Sequence, residues 1–557
     1  MTFSAAHGDL LAAPSTADTA QLRAVAGLAP WWRARVVQAG LPAAVADLSI
    51  ALAAAPPEPL PRLDDDIPSV DPWALGTGYV ETLDPASRSQ FGRHYTPRDL
   101  AERLWTMTRK AMGFGVDPHR LPGLLRDPAV GGGALLIAPL REHLLASADD
   151  DPALVLNSLP NLIEGIDNDP WAVYVANVVL AAEMLPTWAR VPEHRRRPLP
   201  ALVRVGDGIA ADLPPAHSWI MNPPYGRQRL SDEQRAQFAD TLYGHANLYG
   251  LFMASTIGKT AKDGAVGALV PTSFTAGLYF HRLREQLAKC LPMKALSFVH
   301  SRDGVFGGVL QETCLAVFSP RRAQRTTVTR INGHVSDVAK VPTPRGDTPW
   351  LIPREARDAT TAATAASLPL RLSDLGWRAS TGPLVWNRRA ADLHPRPAKN
   401  RTRIVWAADM INGRVGRSRA RDSMRYLALT AASDPKVMTL TVPAVLVQRT
   451  SAPEQDRRLI VADLDAATLE RNGGQVVVEN HINVLRPTMD EPPIDHATLA
   501  HVLSSAPLDR LIRCISGSVA VSAYELDALP FPDEEIVRAW SKLDGAALDA
   551  AIEAAYR

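Results

Sequence analysis

The chain has 557 residues, 46% apolar and 21% charged, a length that predicts about three domains with ordinary hydrophobic cores. Its 60 basic and 59 acidic residues leave a net charge of +1, so the overall balance does not select a polyanion as partner. The three cysteines, Cys290, Cys314 and Cys514, form no CxxC pair, which argues against a disulfide framework or cysteine zinc site and favours a reducing compartment.

Residues 1–55 are rich in Ala and Leu at helical spacing and read as a small helical N-terminal unit. The first residues lack the basic leader and apolar run of a secretory signal. No stretch approaches the ~20 consecutive apolar residues of a membrane span, so a cytoplasmic protein without membrane contact is expected. The prolines from Pro56 onward deny a helix its donors, and 56–84 reads as a linker. Across 85–320 short apolar runs ending in Gly, Asp or Asn alternate with helical stretches such as 173–185. A strand is expected over 264–271, stopped by Pro271. That alternation predicts an α/β fold with a largely parallel sheet. From 321 to 538 strand-like runs (TTVTRI, AVLVQRT, QVVVENHINVL) sit among basic or Pro-containing connections, as in a mixed α+β domain, and 539–557 reads as a closing helix.

The chemistry centres on Asn222-Pro223-Pro224-Tyr225, which follows the apolar run 218–221. A strand ending there puts the Asn222 amide at the carboxyl edge of the sheet, where open α/β sheets bind ligands. The Asn222 oxygen and Pro223 carbonyl can accept both hydrogens of an exocyclic NH2 while Tyr225 stacks on its ring; a plain Pro-rich turn is the alternative. Upstream, Asp127-Pro-Ala-Val-Gly-Gly-Gly133 couples a carboxylate to a glycine turn through which backbone can approach a ligand closely. Asp167, in Gly-Ile-Asp-Asn-Asp-Pro, suits a pair of ribose hydroxyls, and Asp207 suits an adenine amino group. Each acid could instead cap a helix. Thr96 and Asp99 look like a capping box, with Pro97 at the first helical position, and that helix N-terminus could hold a carboxylate.

Taken in order, Tyr-Thr-Pro, Asp-Pro-Ala-x-Gly-x-Gly, Gly-x-Asp, Gly-Asp and Asn-Pro-Pro-Tyr resemble the adenine-N6 DNA methyltransferases dependent on S-adenosylmethionine, in their γ arrangement. The likeness covers residues 85–320; the C-terminal half is more loosely similar to modification enzymes paired with type II restriction endonucleases, of the PstI kind. It implies a Rossmann-like class I methyltransferase domain followed by a mixed α+β target-recognition domain over 321–538. Cofactor contacts are implied for Tyr95, Thr96, Pro97, Asp127, Ala129, Gly131, Gly133, Asp167, Asn168 and Asp207. Asn222, Pro223, Pro224 and Tyr225 would hold the target adenine, and Phe306 resembles the second stacking ring, although a core phenylalanine would read the same way. Val130 and Gly132 stand where the family commonly has Cys and Ser.

The segment 378–425 carries twelve Lys/Arg against three acids, a local charge of +9, with Trp386 and Trp406 inside it and Trp377 and Tyr426 at its two ends. Such a patch suits contact with duplex DNA, and Arg388, Arg389, Arg401, Arg403, Arg414 and Arg417 are the candidate contacts. No metal site is expected, and a restriction endonuclease, where one accompanies the chain, is expected on a separate polypeptide. RNA adenine methylation and a non-catalytic DNA-binding subunit on the same fold are the competing readings.

Overall fold

The computed structural model describes residues 24–60, 70–82, 96–299, 312–451 and 455–557; Tyr95 and Phe306 lie outside them. The chain forms two compact units, one of Met1–Pro271, Glu285–Gln324 and Ile331–Gly333, the other of Thr272–Arg284, Arg325–Arg330 and His334–Arg557. The passage from one to the other is therefore spread over 272–333, not placed at the single boundary near 320 that the composition suggests.

In the first unit, strands β1 (Leu125–Asp127), β2 (Ile163–Asp167), β3 (Val203–Val205), β4 (Ser218–Met221), β5 (Val266–Pro271), β6 (Met293–Val299) and β7 (Thr313–Phe318) lie in the order β3-β2-β1-β4-β5-β7-β6. The first five run parallel, and β7 is inserted antiparallel between β5 and β6. Strand order reverses between β1 and β4, so the crevice of a doubly wound sheet opens at their carboxyl ends. This is the largely parallel α/β sheet that the alternating pattern predicts, in the Rossmann-like form that the family resemblance implies.

Helices α1 (Leu28–Gln38), α2 (Pro72–Thr82), α3 (Arg98–Ala111), α4 (Ala134–Ala146) and α5 (Pro170–Ala189) belong to this unit. Trp31, Trp32 and Val36 of α1 share one continuous apolar cluster with Leu136, Val178 and Leu180. The described part of 1–55 is thus packed into the same core and is not a separate unit. The stretch read as a linker contains α2, whose Trp73, Gly76 and Tyr79 are buried. The neighbouring prolines end a helix but do not forbid one after them. Helix α5 begins where Asp169 accepts from Trp171 N at 2.9 Å, with Pro170 in the first turn. It is long and apolar enough to cross a membrane, contrary to the sequence reading, yet 83% of its most apolar window is buried in the protein.

The second unit is mixed α+β. A six-stranded sheet runs Trp377–Thr381, Ile482–Pro487, Ala444–Gln448, Val461–Leu464, Arg414–Val415 and Met410–Ile411. A five-stranded sheet contains Leu393–His394, Tyr426–Ala428, Arg401–Val405, Val476–Val478 and Thr439–Leu440. The run QVVVENHINVL is two strands, not one. Its turn at Glu479–His481 lets Val476–Val478 join one sheet and Ile482–Pro487 the other. The chain closes with two helices, Glu534–Trp540 and Gly545–Ala555, instead of one.

Candidate active site

The four parallel strands β1, β2, β3 and β4 each deliver one polar residue at or just beyond the carboxyl end: Asp127, Asp167, Asp207 and Asn222. After β1 the chain turns through Gly131 at φ +51° and Gly133 at φ +90° before α4 begins. This left-handed backbone favours glycine. Asp127 accepts a hydrogen bond from Ala129 N at 3.1 Å and is only 1% exposed. Burial, with the nearby Asp167 carboxylate adding to it, pushes its carboxyl up to about 8. Asp167 accepts from Gly131 N and from Asp169 N, both at 3.0 Å, and so ties the glycine loop to the end of β2. Asp207 is exposed and accepts from Ile209 N at 2.9 Å, while Asn168 is exposed beside Asp167.

Asn222 links two sequence motifs. Its Nδ2 donates to Thr96 Oγ1 at 2.9 Å, and its Oδ1 accepts from the Tyr225 hydroxyl at 3.0 Å. The Tyr225 hydroxyl also lies 3.1 Å from the Leu269 carbonyl of β5, and its buried ring meets Tyr249 edge-on, with centroids 6.1 Å apart. The Thr96 hydroxyl therefore does not cap α3. That helix has Pro97 at its N-cap with no side-chain bond there, so neither the capping box nor the placement of Pro97 inside the first turn matches the structure. The local Thr-x-x-Asp pattern is genuine, but a partner 126 residues away takes the hydroxyl.

Thr96, Asp127, Ala129, Gly131 and Asn222 line one pocket, and helix α2 closes its other side with Gly76, Thr77 and Val80. Gly76 and Gly132 touch backbone to backbone. A Cβ on either would fall 2.5 Å from the other's carbonyl oxygen. Helix α2 is fixed further by the Tyr79 hydroxyl, 2.9 Å from Asp169 Oδ2. These α2 residues and Tyr249 were missed in the sequence. Gly76 in a helix was the available signal, since an interior glycine usually marks a close approach.

The donor set suits S-adenosylmethionine. A buried carboxylate with a raised pKa is matched by an ammonium, a glycine turn admits a ligand close to backbone, and successive strand-end acids suit a ribose and a base amine.

In the second unit the arginines divide. Arg389 pairs with Asp392 at 2.5 Å and with Asp434 at 2.9 Å, which holds the Asp434 carboxyl down at about 2. Arg403 is half-buried and donates to the Gly416 carbonyl. Arg401 reaches the Arg396 carbonyl, and Arg417 pairs with Asp422 at 3.2 Å. Arg388 and Arg414 are exposed.

No known family model matches the chain. Over 334 residues it is 25% identical to the type II methyltransferase M.BsuBI of Bacillus subtilis, and over 344 residues 26% identical to M.PstI of Providencia stuartii. Over these stretches the chain is similar to type II methyltransferases. Each match takes in 57% of this chain and 65% of the relative. The fold is similar to that of the type IIL restriction–modification enzyme MmeI, solved in complex with DNA. The TM-score is 0.51 with 14% identity, over 90% of this chain and 81% of that one.

Proposed function

We propose that the chain is a site-specific DNA methyltransferase that moves a methyl group from S-adenosylmethionine to the N6 amine of an adenine turned out of the duplex, within a restriction–modification or phage-defence system. The observation that carries this reading is the Asn222 amide, bonded at once to Thr96 of the cofactor pocket and to Tyr225. It brings the place where a methyl donor would end next to the place where a planar amine would sit.

When bound, S-adenosylmethionine supplies a methyl group already activated on a sulfonium. Asn222 Oδ1 and the Pro223 carbonyl accept the two amino hydrogens and turn the nitrogen lone pair toward the pocket. Pro223 and Pro224 fix that backbone. The Tyr225 hydroxyl steadies Oδ1 while its ring receives the base and offsets part of the cost of unstacking it; the second stacking ring implied for Phe306 lies outside the described residues. The Asp127 carboxylate holds the ligand ammonium, Thr96 its carboxylate, Asp167 the ribose and Asp207 the adenine amine. Pro97, Ala129 and Asn168 complete the cofactor contacts among the described residues. The work is positional, so no strong general base is required. The exposed arginines of 378–425 contact DNA phosphates, and any restriction partner is a separate chain.

The test is methyl incorporation from labelled S-adenosylmethionine into unmethylated genomic DNA, with matched RNA alongside. Label in DNA as N6-methyladenine at one short motif, absent with Asn222→Ala, is the expected result. Label in RNA alone would move the acceptor, no label despite cofactor binding would point to a missing partner subunit, and no label with no cofactor binding would favour a non-catalytic subunit.

A further inference from the structure

The loop that follows strand Arg401–Val405 is built around a buried acid. Asp409, fully buried, accepts from Trp406 N at 3.1 Å and Ser418 N at 2.8 Å, and Arg425 Nη1 lies 2.8 Å from both of its oxygens. Arg425 also pairs with Asp422 at 2.8 Å, and Arg417 takes the remaining share of that carboxylate. The acids of the loop are thereby occupied. Arg421, in the middle of it, is left without an anion. Its guanidinium lies 5.2 Å from the ring centroid of Trp406 and 5.8 Å from that of Trp386. Among the described residues it has no hydrogen bond or ion pair. It is half-buried, unlike the exposed Arg388, Arg414 and Arg419.

A half-buried guanidinium resting on two indoles keeps its planar fork of donors while losing part of its hydration. Stacking fixes its orientation in advance, which lysine would not reproduce in the same way. Mobile exposed arginines suit phosphate, which positions without specifying. A fixed fork suits the O6 and N7 acceptors of guanine, the commonest specific contact in the major groove. We infer that Arg421, held over Trp386 and Trp406 by the Asp409–Arg425 framework, reads a guanine in the recognition site. This rests on the DNA-methyltransferase reading above.

The test expresses the full chain, wild type and variants, in a host without adenine methylation and reads the methylated motif by modification-aware sequencing. Urea midpoints of the purified proteins are measured alongside. The wild-type motif should contain a guanine, and Arg421→Lys and Arg421→Ala should lower discrimination at that one position by about tenfold or more, leaving the others intact. Arg414→Ala should lower methylation evenly across sequences. An unchanged motif with only a lowered midpoint would make Arg421 a cover for Trp406 and overturn the inference. So would an even loss with a shallower salt dependence, the sign of a phosphate contact, or a motif without guanine. A wild type that methylates no DNA would remove the DNA reading itself, and the inference with it.

Discussion

Asp127 in the first unit and Asp409 in the second are both buried, 1% and 0% exposed, yet their surroundings are opposite. Asp409 is enclosed by Arg425, whose Nη1 reaches both of its oxygens, and by two backbone N–H groups. Asp127 has one backbone N–H, no basic partner among the described residues, and a second carboxylate nearby. A buried charge is tolerable only when something compensates it. The fold compensates Asp409, whereas Asp127 is left short and its carboxyl is pushed up to about 8; on the proposed function a ligand ammonium completes it. An acid satisfied from within holds structure, and an acid left short marks a binding site.

The largest effect expected from this contrast is on the satisfied acid. Asp409→Ala removes the buried partner of Arg425, leaving it only the half-exposed Asp422, and strips Trp406 N and Ser418 N of their acceptor; it should cost about 3–5 kcal/mol, read as a lower urea midpoint. Cofactor affinity of the first unit should be unaffected. Little loss of stability would mean that Arg425 finds water or another acceptor, and the contrast would fail on that side.

Asp127→Asn should do the reverse. S-adenosylhomocysteine affinity, measured by calorimetry, should fall by about tenfold or more as a charge-assisted contact is lost, while stability near pH 7 holds or rises. The pH dependence sharpens this. The folded carboxyl sits near 8 against 3.8 unperturbed, so between those values the folded state holds more protons than the unfolded one. Stability without cofactor should therefore decline as pH rises from about 4 to about 8 and level off above. A ligand ammonium needs the ionised carboxylate, so cofactor affinity should climb with pH up to about 8. Asp127→Asn should flatten both profiles, and unchanged profiles would contradict the raised pKa.

Gly76→Ala places a methyl 2.5 Å from the Gly132 carbonyl oxygen. Overpacking of this kind costs about 1–3 kcal/mol, and cofactor affinity should weaken because α2 forms one wall of the pocket. Wild-type affinity would detach α2 from the site. The smallest effect belongs to Tyr225→Phe, which keeps the ring and removes the hydroxyl shared between Asn222 Oδ1 and the Leu269 carbonyl. About 0.5–1.5 kcal/mol of stability should be lost, with a modest fall in methylation.

Much of the first unit was legible because its motifs carry their own backbone signals. The Gly131 and Gly133 turn, Pro223 and Pro224, and an acid at each strand end mark the carboxyl edge of the sheet without reference to distant residues. What the sequence hid was long-range. Thr96 presents a complete local capping pattern, and nothing nearby reveals that Asn222 takes its hydroxyl. Helix α2 was obscured by the prolines before it. In the basic segment a count of charges cannot tell Arg425, consumed by Asp409, from Arg421, stacked on tryptophan. That distinction exists only once the chain is folded.

On the proposed function, Asn222 joins the cofactor pocket to the target amine. The most direct test of that role compares Asn222→Ala with wild type for S-adenosylhomocysteine binding by calorimetry and for methyl transfer to unmethylated DNA in single-turnover assays. Transfer should fall by about a hundredfold or more, as when a donor or acceptor in the transition state is removed, with binding changed by only a few-fold. Near-normal transfer, or equal losses in both measurements, would contradict it.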